Sequence, residues 1–164
     1  MNGDLARRAS EYEVVVLEGC DGVGKTTLAA VLATHHGYAV VHSSRTPDGV
    51  DLVERYRAIL ARPGRLLLDR SFVSELVYGP LRHCRSRLNF ADATALAVIV
   101  AARGGVLIHL TGQPERIAAR LLARDGKAPG LEAIRALIDS YTNVFAKLAE
   151  HAPVITVDAT ETAA

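Results

Sequence analysis

The fold of this chain is decided by one stretch of sequence, Val14-Val15-Val16-Leu17-Glu18-Gly19-Cys20-Asp21-Gly22-Val23-Gly24-Lys25-Thr26-Thr27. The apolar run 14–17 is typical of a buried strand. Residues 19–26 match the pattern G-x-x-x-x-G-K-[ST] at every fixed position, and we predict a helix from about Lys25 to His35. A strand, a glycine-rich turn and a helix in this order are the context that a phosphate-binding loop requires.

The loop predicts a site for ATP and Mg²⁺. Its glycines would let the backbone curl with its N–H groups around the phosphates, and the following helix would add its positive end. Lys25 would reach the β- and γ-phosphates, and the Thr26 hydroxyl would ligate magnesium. The alternative is a glycine-rich turn that binds nothing, which the matching flanks disfavour. The expected nucleotide-binding residues are Gly19, Asp21, Gly22, Val23, Gly24, Lys25, Thr26 and Thr27.

The rest of the chain alternates short apolar runs with longer helical patterns. Further strands are predicted at 38–42, 66–68, 106–110 and 154–157, and helices at about 50–61, 73–78, 91–102, 114–124 and 131–148. Five strands alternating with helices predict an α/β fold of the P-loop NTPase class, with three layers and a five-stranded, mostly parallel sheet. We expect a single domain over 1–164, with 1–11 as a flexible N-terminal tail.

Composition limits the classes of partner. Hydrophobic residues make up 49% of the 164 residues and charged residues 23%, which is the balance of a globular protein. Nineteen basic and eighteen acidic side chains leave a formal charge of +1, so no global charge favours a nucleic acid or a membrane surface. The apolar run Ala93–Ala102 is far below the ~18 residues of a membrane span. We therefore expect a cytoplasmic protein with a small-molecule substrate.

Other motifs narrow the kind of P-loop protein. A GTPase should show D-x-x-G after its third strand and N-K-x-D further on, but Asp69 is followed by Arg70, Ser71 and Phe72 and no N-K-x-D occurs. The L-S-G-G-Q signature of transporter ATPases is also missing from the sequence. These exclusions favour a small-molecule kinase.

Several segments resemble the thymidylate kinase family and its deoxynucleoside-kinase relatives. The stretch 17–27 is similar to that family's P-loop, which carries an acidic residue between its first two glycines, and 44–49 is similar to its T-R-E-P-G-G segment. The stretch 66–71 resembles its D-R-[YHF] motif, 110–115 the segment before its lid, and 157–159 its last strand beside the adenine. The resemblance implies a nucleoside monophosphate kinase of nucleotide biosynthesis and a possible homodimer.

Two residues after the third strand are candidates for catalysis. Asp69 lies at the carboxyl end of that strand, where open α/β sheets place ligands. It could hold magnesium through water or accept a proton, or it could simply cap the next helix. Arg70 could clamp an anionic acceptor because a guanidinium grips phosphate oxygens with two prongs. The alternative for Arg70 is a surface ion pair, and Arg45 has the same two interpretations.

Further candidates have equally plain structural alternatives. By the resemblance, Asp21 would meet the sugar hydroxyl of the acceptor, although it could be only a turn residue. Phe72 and Tyr78 could line an acceptor base pocket, although aromatic residues at helical spacing are more often core.

Basic residues recur every four positions near the expected lid. Arg116, Arg120 and Arg124 share one helix face, and such rows are usually solvated. Arg120 and Arg124 also flank the break at 125–130, within a lid region expected over about 120–131. There, Arg120 would bind the nucleotide and Arg124 would neutralise charge on the transferring phosphoryl group.

The acceptor can be argued from its chemistry. A nucleoside hydroxyl holds its proton and needs a base, which the deoxynucleoside-kinase relatives supply as the glutamate of an E-P pair. Thr46 stands at that position, before Pro47. A monophosphate is already anionic and needs cations, which Arg45 and Arg70 supply. We therefore expect a deoxynucleoside monophosphate, with a pyrimidine base implied by the resemblance. A hydroxyl kinase with Asp69 as base and a non-catalytic nucleotide-binding module remain alternatives.

Overall fold

The computed structural model describes residues 2–43, 46–83 and 86–161, and within them five strands form one sheet. The strands are β1 (Val14–Glu18), β2 (Ala39–His42), β3 (Leu66–Asp69), β4 (Gly105–Thr111) and β5 (Val154–Asp158). Their spatial order is β2-β3-β1-β4-β5, and every pairing is parallel. The prediction of a five-stranded, mostly parallel sheet is confirmed.

Helices cover both faces of this sheet, which confirms the three-layer architecture. They are α1 (Asn2–Ala9), α2 (Lys25–His36), α3 (Leu52–Leu60), α4 (Phe72–His83), α5 (Phe90–Ala102), α6 (Pro114–Asp125) and α7 (Leu131–Leu148). Helix α2 packs on β1, β2 and β3, whereas α5 and α7 pack on β4 and on each other. In the part of the chain that the structure describes, no helix has the length and apolar character to cross a membrane.

The central strands form the core because their residues are apolar on both faces. Every residue of β1 and β3 is buried, as expected for parallel strands covered by helices on each side. The edge strand β2 is only partly buried. The sequence pattern of continuous apolar runs therefore corresponds to the middle of the sheet.

The strand order creates a crevice at the carboxyl ends of β1 and β3. The chain leaves β1 towards β2 on one side and leaves β3 towards β4 on the other, so the direction of winding reverses between these neighbours. Open α/β sheets bind ligands at such a switch point. In this register Leu17 lies opposite Asp69, and Asp69 lies opposite His42.

Part of the segment 1–11, which we expected to be a flexible tail, forms a helix over residues 2–9. Its helix α1 packs against α2, and Leu5, Ala6 and Ala9 are buried in the core. The Tyr38 hydroxyl donates a hydrogen bond of 2.9 Å to the Ala9 carbonyl. Tertiary packing therefore stabilises this short helix, as short helices generally require, and the flexibility of 1–11 as a whole stays a prediction.

Candidate active site

The loop between β1 and α2 has the backbone that its glycines predict. Gly19, Gly22 and Gly24 have φ angles of 147°, 84° and 101°, a region that L side chains rarely adopt. A Cβ on Gly19 would lie only 2.1 Å from the Leu110 carbonyl oxygen, so this position also excludes any side chain. Gly24 caps α2 without any side-chain hydrogen bond, which leaves the first amides of the helix for an anion.

The Lys25 ammonium lies across this loop. Its side chain is buried, and Nζ donates hydrogen bonds to the carbonyls of Gly19 at 2.6 Å and Cys20 at 2.8 Å. Burial lowers the pKa of Lys25, and the nearby positive charge of Arg70 lowers it further. The two carbonyls hold the ammonium within the loop, and a lysine at this position of the P-loop pattern is the one that would contact phosphate.

A cavity of about 350 Å³ joins the loop to the end of β3. All of its lining residues were candidates from the sequence: Asp21, Gly22, Gly24, Lys25, Thr26, Thr27, Asp69, Arg70, Arg120 and Arg124. The structure therefore brings together residues from the P-loop, the end of β3 and α6, which are far apart in the chain. Two predicted nucleotide-binding residues of the loop, Gly19 and Val23, do not line this cavity. The side chain of Val23 is fully buried.

The two aromatic candidates lie outside this cavity. Phe72 is fully buried, with its ring edge-on to Tyr56 at 5.8 Å, as the core alternative expects, and its base-pocket role stays a prediction. Tyr78 is partly buried and edge-on to Tyr141 at 6.2 Å. Burial, and then the negative charge of Asp21, raise the pKa of Tyr78 to about 12. Arg45 lies outside the described residues.

Asp69 has one satisfied oxygen and one free oxygen. Its Oδ2 lies 2.9 Å from Nδ1 of His42, the last residue of β2. Its Oδ1 is buried and has no hydrogen-bond partner among the residues that the structure describes. The helix-cap alternative fails, because Ser71 accepts from the Val73 amide at the start of α4 instead. Sequence reasoning missed His42, whose only signal was a polar residue at a strand end.

Thr26 and Asp69 fit the magnesium site that the P-loop implies. Both side chains line the same cavity, and the free Oδ1 of Asp69 lacks a partner of the kind that a hydrated cation would provide. Hydroxyl and carboxylate oxygens are suitable ligands for Mg²⁺, which usually keeps several waters and binds substrate phosphates. Within the described ranges, no group of three or more His, Cys, Asp or Glu side chains could hold a metal by itself. Phosphate and water oxygens would therefore complete the coordination.

Arg70 is held in an unusual conformation beside the loop. With φ of 65° it is the one non-glycine residue of the described chain in the left-handed region. Its guanidinium forms an ion pair with Asp21 of the P-loop, and about a third of its side chain remains exposed. Both residues of the ion pair line the cavity. Arg70 therefore lines the same cavity as Lys25 and Thr26 of the loop.

Glu18 is a further residue of the site that sequence reasoning missed. It ends β1, is fully buried, and accepts hydrogen bonds from Ser71 and Ser74 at the start of α4. Burial raises the pKa of Glu18, although the hydrogen bonds from these serines oppose that shift. The available signal was an acidic residue that interrupts an otherwise apolar strand next to the glycine loop.

The three arginines on one face of α6 make different contacts, and two of them, Arg120 and Arg124, line the cavity. Arg120 donates to the carbonyls of Gly22 at 3.5 Å and Ala159 at 2.9 Å, so it bridges the P-loop and the segment after β5. Arg116 bonds to the Thr160 carbonyl and does not line the cavity. Arg124 makes two hydrogen bonds of 2.7 Å to the adjacent Asp125.

A second cavity of about 300 Å³ lies beside the first, under the expected lid. It shares Asp21 and Arg124 with the first cavity, and it is completed by the side chains of Leu121, Asp125, Lys127, Ala128 and Pro129. Helix α6 ends at Asp125, so the predicted break after that helix is present. The lid function of this segment stays a prediction.

Fold and loop place this chain in the P-loop NTPase fold class. No family model matches it, and no curated protein matches it. Among solved structures it is similar to the YorR protein from Bacillus subtilis in complex with phosphorylated GDP, at 21% identity over 90% of this chain and 86% of that chain, with a TM-score of 0.80.

Two further structures share the fold at lower similarity. A deoxyadenosine kinase from M. mycoides with bound dCTP is 16% identical over 91% of this chain and 92% of that chain, with a TM-score of 0.56. A gluconokinase from Sinorhizobium meliloti 1021 is 15% identical over 93% of this chain and 85% of that chain, with a TM-score of 0.56. These likenesses establish the α/β/α P-loop fold.

Proposed function

We propose that this protein is an ATP- and magnesium-dependent phosphotransferase that moves the γ-phosphoryl group of ATP to a deoxynucleoside monophosphate, with a pyrimidine as the base. The observation that carries the proposal is that Lys25 and Thr26 of the P-loop line the same cavity as Asp69 and Arg70 from the end of β3. The structural likeness to a deoxyadenosine kinase and a gluconokinase supports phosphoryl transfer as the reaction class.

The charges in the cavity suit a reaction between two anions. The amides of the loop and Lys25 would bind the β- and γ-phosphates of ATP, and Arg70 would bind the phosphate of the acceptor across the same cavity. The Arg70 guanidinium is paired with Asp21 in this structure. An acceptor phosphate would replace Asp21 as its partner, and the guanidinium would already be in position. Phosphoryl transfer depends mainly on positioning and charge stabilisation, and this cavity supplies both.

The reaction would proceed by attack of an acceptor phosphate oxygen on the γ-phosphorus, with ADP as the leaving group. Bound magnesium would neutralise phosphate charge, and Thr26 and Asp69 are the residues that would hold it. Arg124 on the lid side would exchange its Asp125 partner for the charge that develops on the transferring group. Arg120 already contacts both the loop and the segment after β5, where the resemblance places the adenine.

The absence of a base at Thr46 supports a monophosphate as acceptor. Thr46 is buried, and its hydroxyl accepts a hydrogen bond from Arg55, so it is occupied in a structural contact. An ionised phosphate oxygen is already a nucleophile and needs no proton acceptor there. The pyrimidine base is proposed from the family resemblance of the sequence.

A coupled assay of ADP release tests this proposal. The acceptor panel contains the common nucleosides, their 5′-monophosphates and gluconate, each with Mg-ATP and each with a no-acceptor blank. We expect turnover with a pyrimidine deoxynucleoside monophosphate and background rates with nucleosides. Turnover only on nucleosides or gluconate would overturn the monophosphate assignment. ATP binding without turnover on any acceptor would favour a nucleotide-binding module.

The free oxygen of Asp69 supports a second candidate, a kinase of a deoxynucleoside or another alcohol. Oδ1 lies buried without a hydrogen-bond partner in the described part of the chain and could accept the proton of an attacking hydroxyl, while His42 holds Oδ2. The same panel separates the two candidates. In a hydroxyl kinase, Arg70→Ala should leave the KM for the alcohol nearly unchanged, because no acceptor phosphate would be present to bind.

A further inference from the structure

The carboxylate of Glu18 accepts four hydrogen bonds from Ser71 and Ser74, in the segment that follows Arg70. Its Oε1 accepts from the Ser71 amide at 2.5 Å, the Ser71 hydroxyl at 2.9 Å and the Ser74 amide at 3.3 Å, and its Oε2 accepts from the Ser74 hydroxyl at 2.6 Å. It is fully buried and forms no salt bridge with a basic side chain among the described residues, although the positive charge of Lys25 attracts it at longer range. A buried carboxylate without a direct ion pair is costly unless hydrogen bonds compensate it.

These bonds fix the backbone on one side of a strained residue. Arg70 has a left-handed backbone, which a non-glycine residue keeps only where its surroundings impose it. Its own amide donates to the Leu17 carbonyl at 3.2 Å, and the next amide, of Ser71, donates to Glu18. Both acceptors lie on consecutive residues of β1, immediately before the P-loop. The conformation of Arg70 is therefore set from the strand that also carries the loop.

The same hydrogen bonds connect the loop to two helices. The Ser74 hydroxyl that donates to Glu18 also lies 3.3 Å from the hydroxyl of Tyr141, in the middle of α7. The Ser74 amide belongs to the first turn of α4, where an anion is favoured by the helix dipole. Glu18 thus holds α4, and with it Arg70, at a fixed distance from the phosphate-binding loop.

We infer that Glu18 is a positioning residue for the acceptor: it holds Arg70 in the left-handed conformation that directs the guanidinium into the cavity. The inference rests on the proposed function, since it assigns Arg70 to the acceptor. It predicts that loss of Glu18 weakens acceptor binding through Arg70 and leaves the contacts of Lys25 with ATP in place. A merely structural role would instead weaken both substrates or only the stability of the fold.

The test is a double-mutant cycle between Glu18→Leu and Arg70→Ala. Glu18→Leu leaves the Ser71 and Ser74 amides without their acceptor, and we expect the acceptor KM to rise at least about tenfold while the ATP KM stays within about twofold. In the Arg70→Ala background, Glu18→Leu should change the acceptor KM by less than about twofold, because both changes remove the same interaction. Additive effects, or equal rises in both KM values, would overturn the inference.

Three further variants serve as a conservative replacement of Glu18, a control at an exposed position and a substitute if Glu18→Leu does not fold. Glu18→Gln retains the oxygen that receives three of these hydrogen bonds and should restore the acceptor KM to within about threefold of the unaltered chain. Glu132→Leu, at an exposed position of α7, is the matched control and should change neither KM. If Glu18→Leu does not fold, the cycle is run with Ser74→Ala, for which we expect a rise of about threefold that disappears without Arg70.

The cycle is measured with the acceptor that the unaltered chain phosphorylates fastest. The identity of that acceptor tests the proposed function, whereas the coupling between the two positions tests the role of Glu18. Additive variants on a monophosphate acceptor would overturn only the inference. Coupled variants on a different anionic acceptor would overturn only the monophosphate assignment. A chain that phosphorylates nothing in the panel would overturn both.

Discussion

The carboxylate of Asp21 in the P-loop forms an ion pair with the guanidinium of Arg70, 49 residues later, at the end of β3. Because Lys25 lies in the same cavity, Asp21 balances part of a local concentration of positive charge. An incoming phosphate would compete with Asp21 for Arg70. This ion pair therefore connects the part of the site proposed for ATP with the part proposed for the acceptor.

Replacing Arg70 should separate the two substrates. We expect Arg70→Ala to raise the acceptor KM by about 10- to 100-fold, because a charge-assisted hydrogen bond contributes roughly 1.5–3 kcal/mol. The ATP KM should stay within about twofold. Initial-rate kinetics with each substrate varied in turn measure both constants, and Arg57→Ala, at an exposed position of α3, is the matched control. A parallel rise in both constants would contradict an acceptor role.

Replacing Lys25 should abolish most of the activity. Lys25→Ala removes the ammonium that the loop carbonyls hold in place, and we expect kcat to fall by about 10²- to 10³-fold, as for other preorganised charge donors. Isothermal titration with Mg-ATP should also show weaker binding, whereas a Lys147→Ala control on the exposed side of α7 should match the unaltered chain. Unchanged binding and turnover would refute the assignment of the loop.

The backbone of the loop can be tested without changing a charge. Gly19→Ala introduces a Cβ that would lie 2.1 Å from the Leu110 carbonyl oxygen, at a φ of 147°. We expect it to lower the free energy of unfolding by at least about 2 kcal/mol and to weaken Mg-ATP binding. Gly3→Ala in α1 is the control, since its Cβ would have nothing within 4 Å. Urea denaturation of the three proteins gives the comparison, and equal stabilities would contradict the observed loop conformation.

His109 should make stability depend on pH. It is buried in β4 with its ring stacked 4.6 Å from that of Phe145, and burial lowers its pKa to about 4. The unfolded chain, with a pKa near 6.5, takes up the proton first, so this contribution is complete above pH 6.5 and is lost as pH falls towards 4. By pH 5 the loss should be roughly 2 kcal/mol.

Substitution isolates this contribution from other groups. His109→Phe removes the titrating ring and keeps an aromatic group against Phe145, so its stability should fall less between pH 7.5 and pH 5. Urea unfolding at several pH values measures the difference, and an exposed His151→Gln variant should follow the unaltered chain. Identical pH slopes for His109→Phe and the unaltered chain would show that His109 is not buried in its neutral form.

Local patterns predicted much of this architecture because the chemistry of the site is local. The P-loop carries its own spacing, and Asp69 and Arg70 follow a short apolar run whose carboxyl end must face ligands in a parallel sheet. The P-loop spacing and the position at a strand end together predicted every residue that lines the first cavity except Arg120 and Arg124. Those two arginines followed from four-residue spacing next to a break in the helical pattern.

The residues that sequence reasoning missed depend on which strands become neighbours. His42 and Asp69 meet because β2 and β3 are adjacent, and Glu18 meets Ser71 because β3 lies beside β1. No spacing along the chain encodes that order. The two interpretations of Phe72 stayed open in the sequence for a related reason, since only the packing of α3 and α4 decides that its ring faces Tyr56.

The N-terminal helix provides a test of tertiary packing against sequence pattern. Leu5 is 4% exposed although it lies in a short helix rich in charged residues, so it belongs to the core of the domain. We expect Leu5→Ala to lower the free energy of unfolding by roughly 2–5 kcal/mol, the range for a buried leucine. Leu81→Ala, which removes the same atoms from a side chain that is 70% exposed, should change it by less than about 0.5 kcal/mol. If both variants unfold at the same urea concentration as the unaltered chain, α1 does not pack on α2 in solution, and residues 1–11 are the flexible tail that we expected from the sequence.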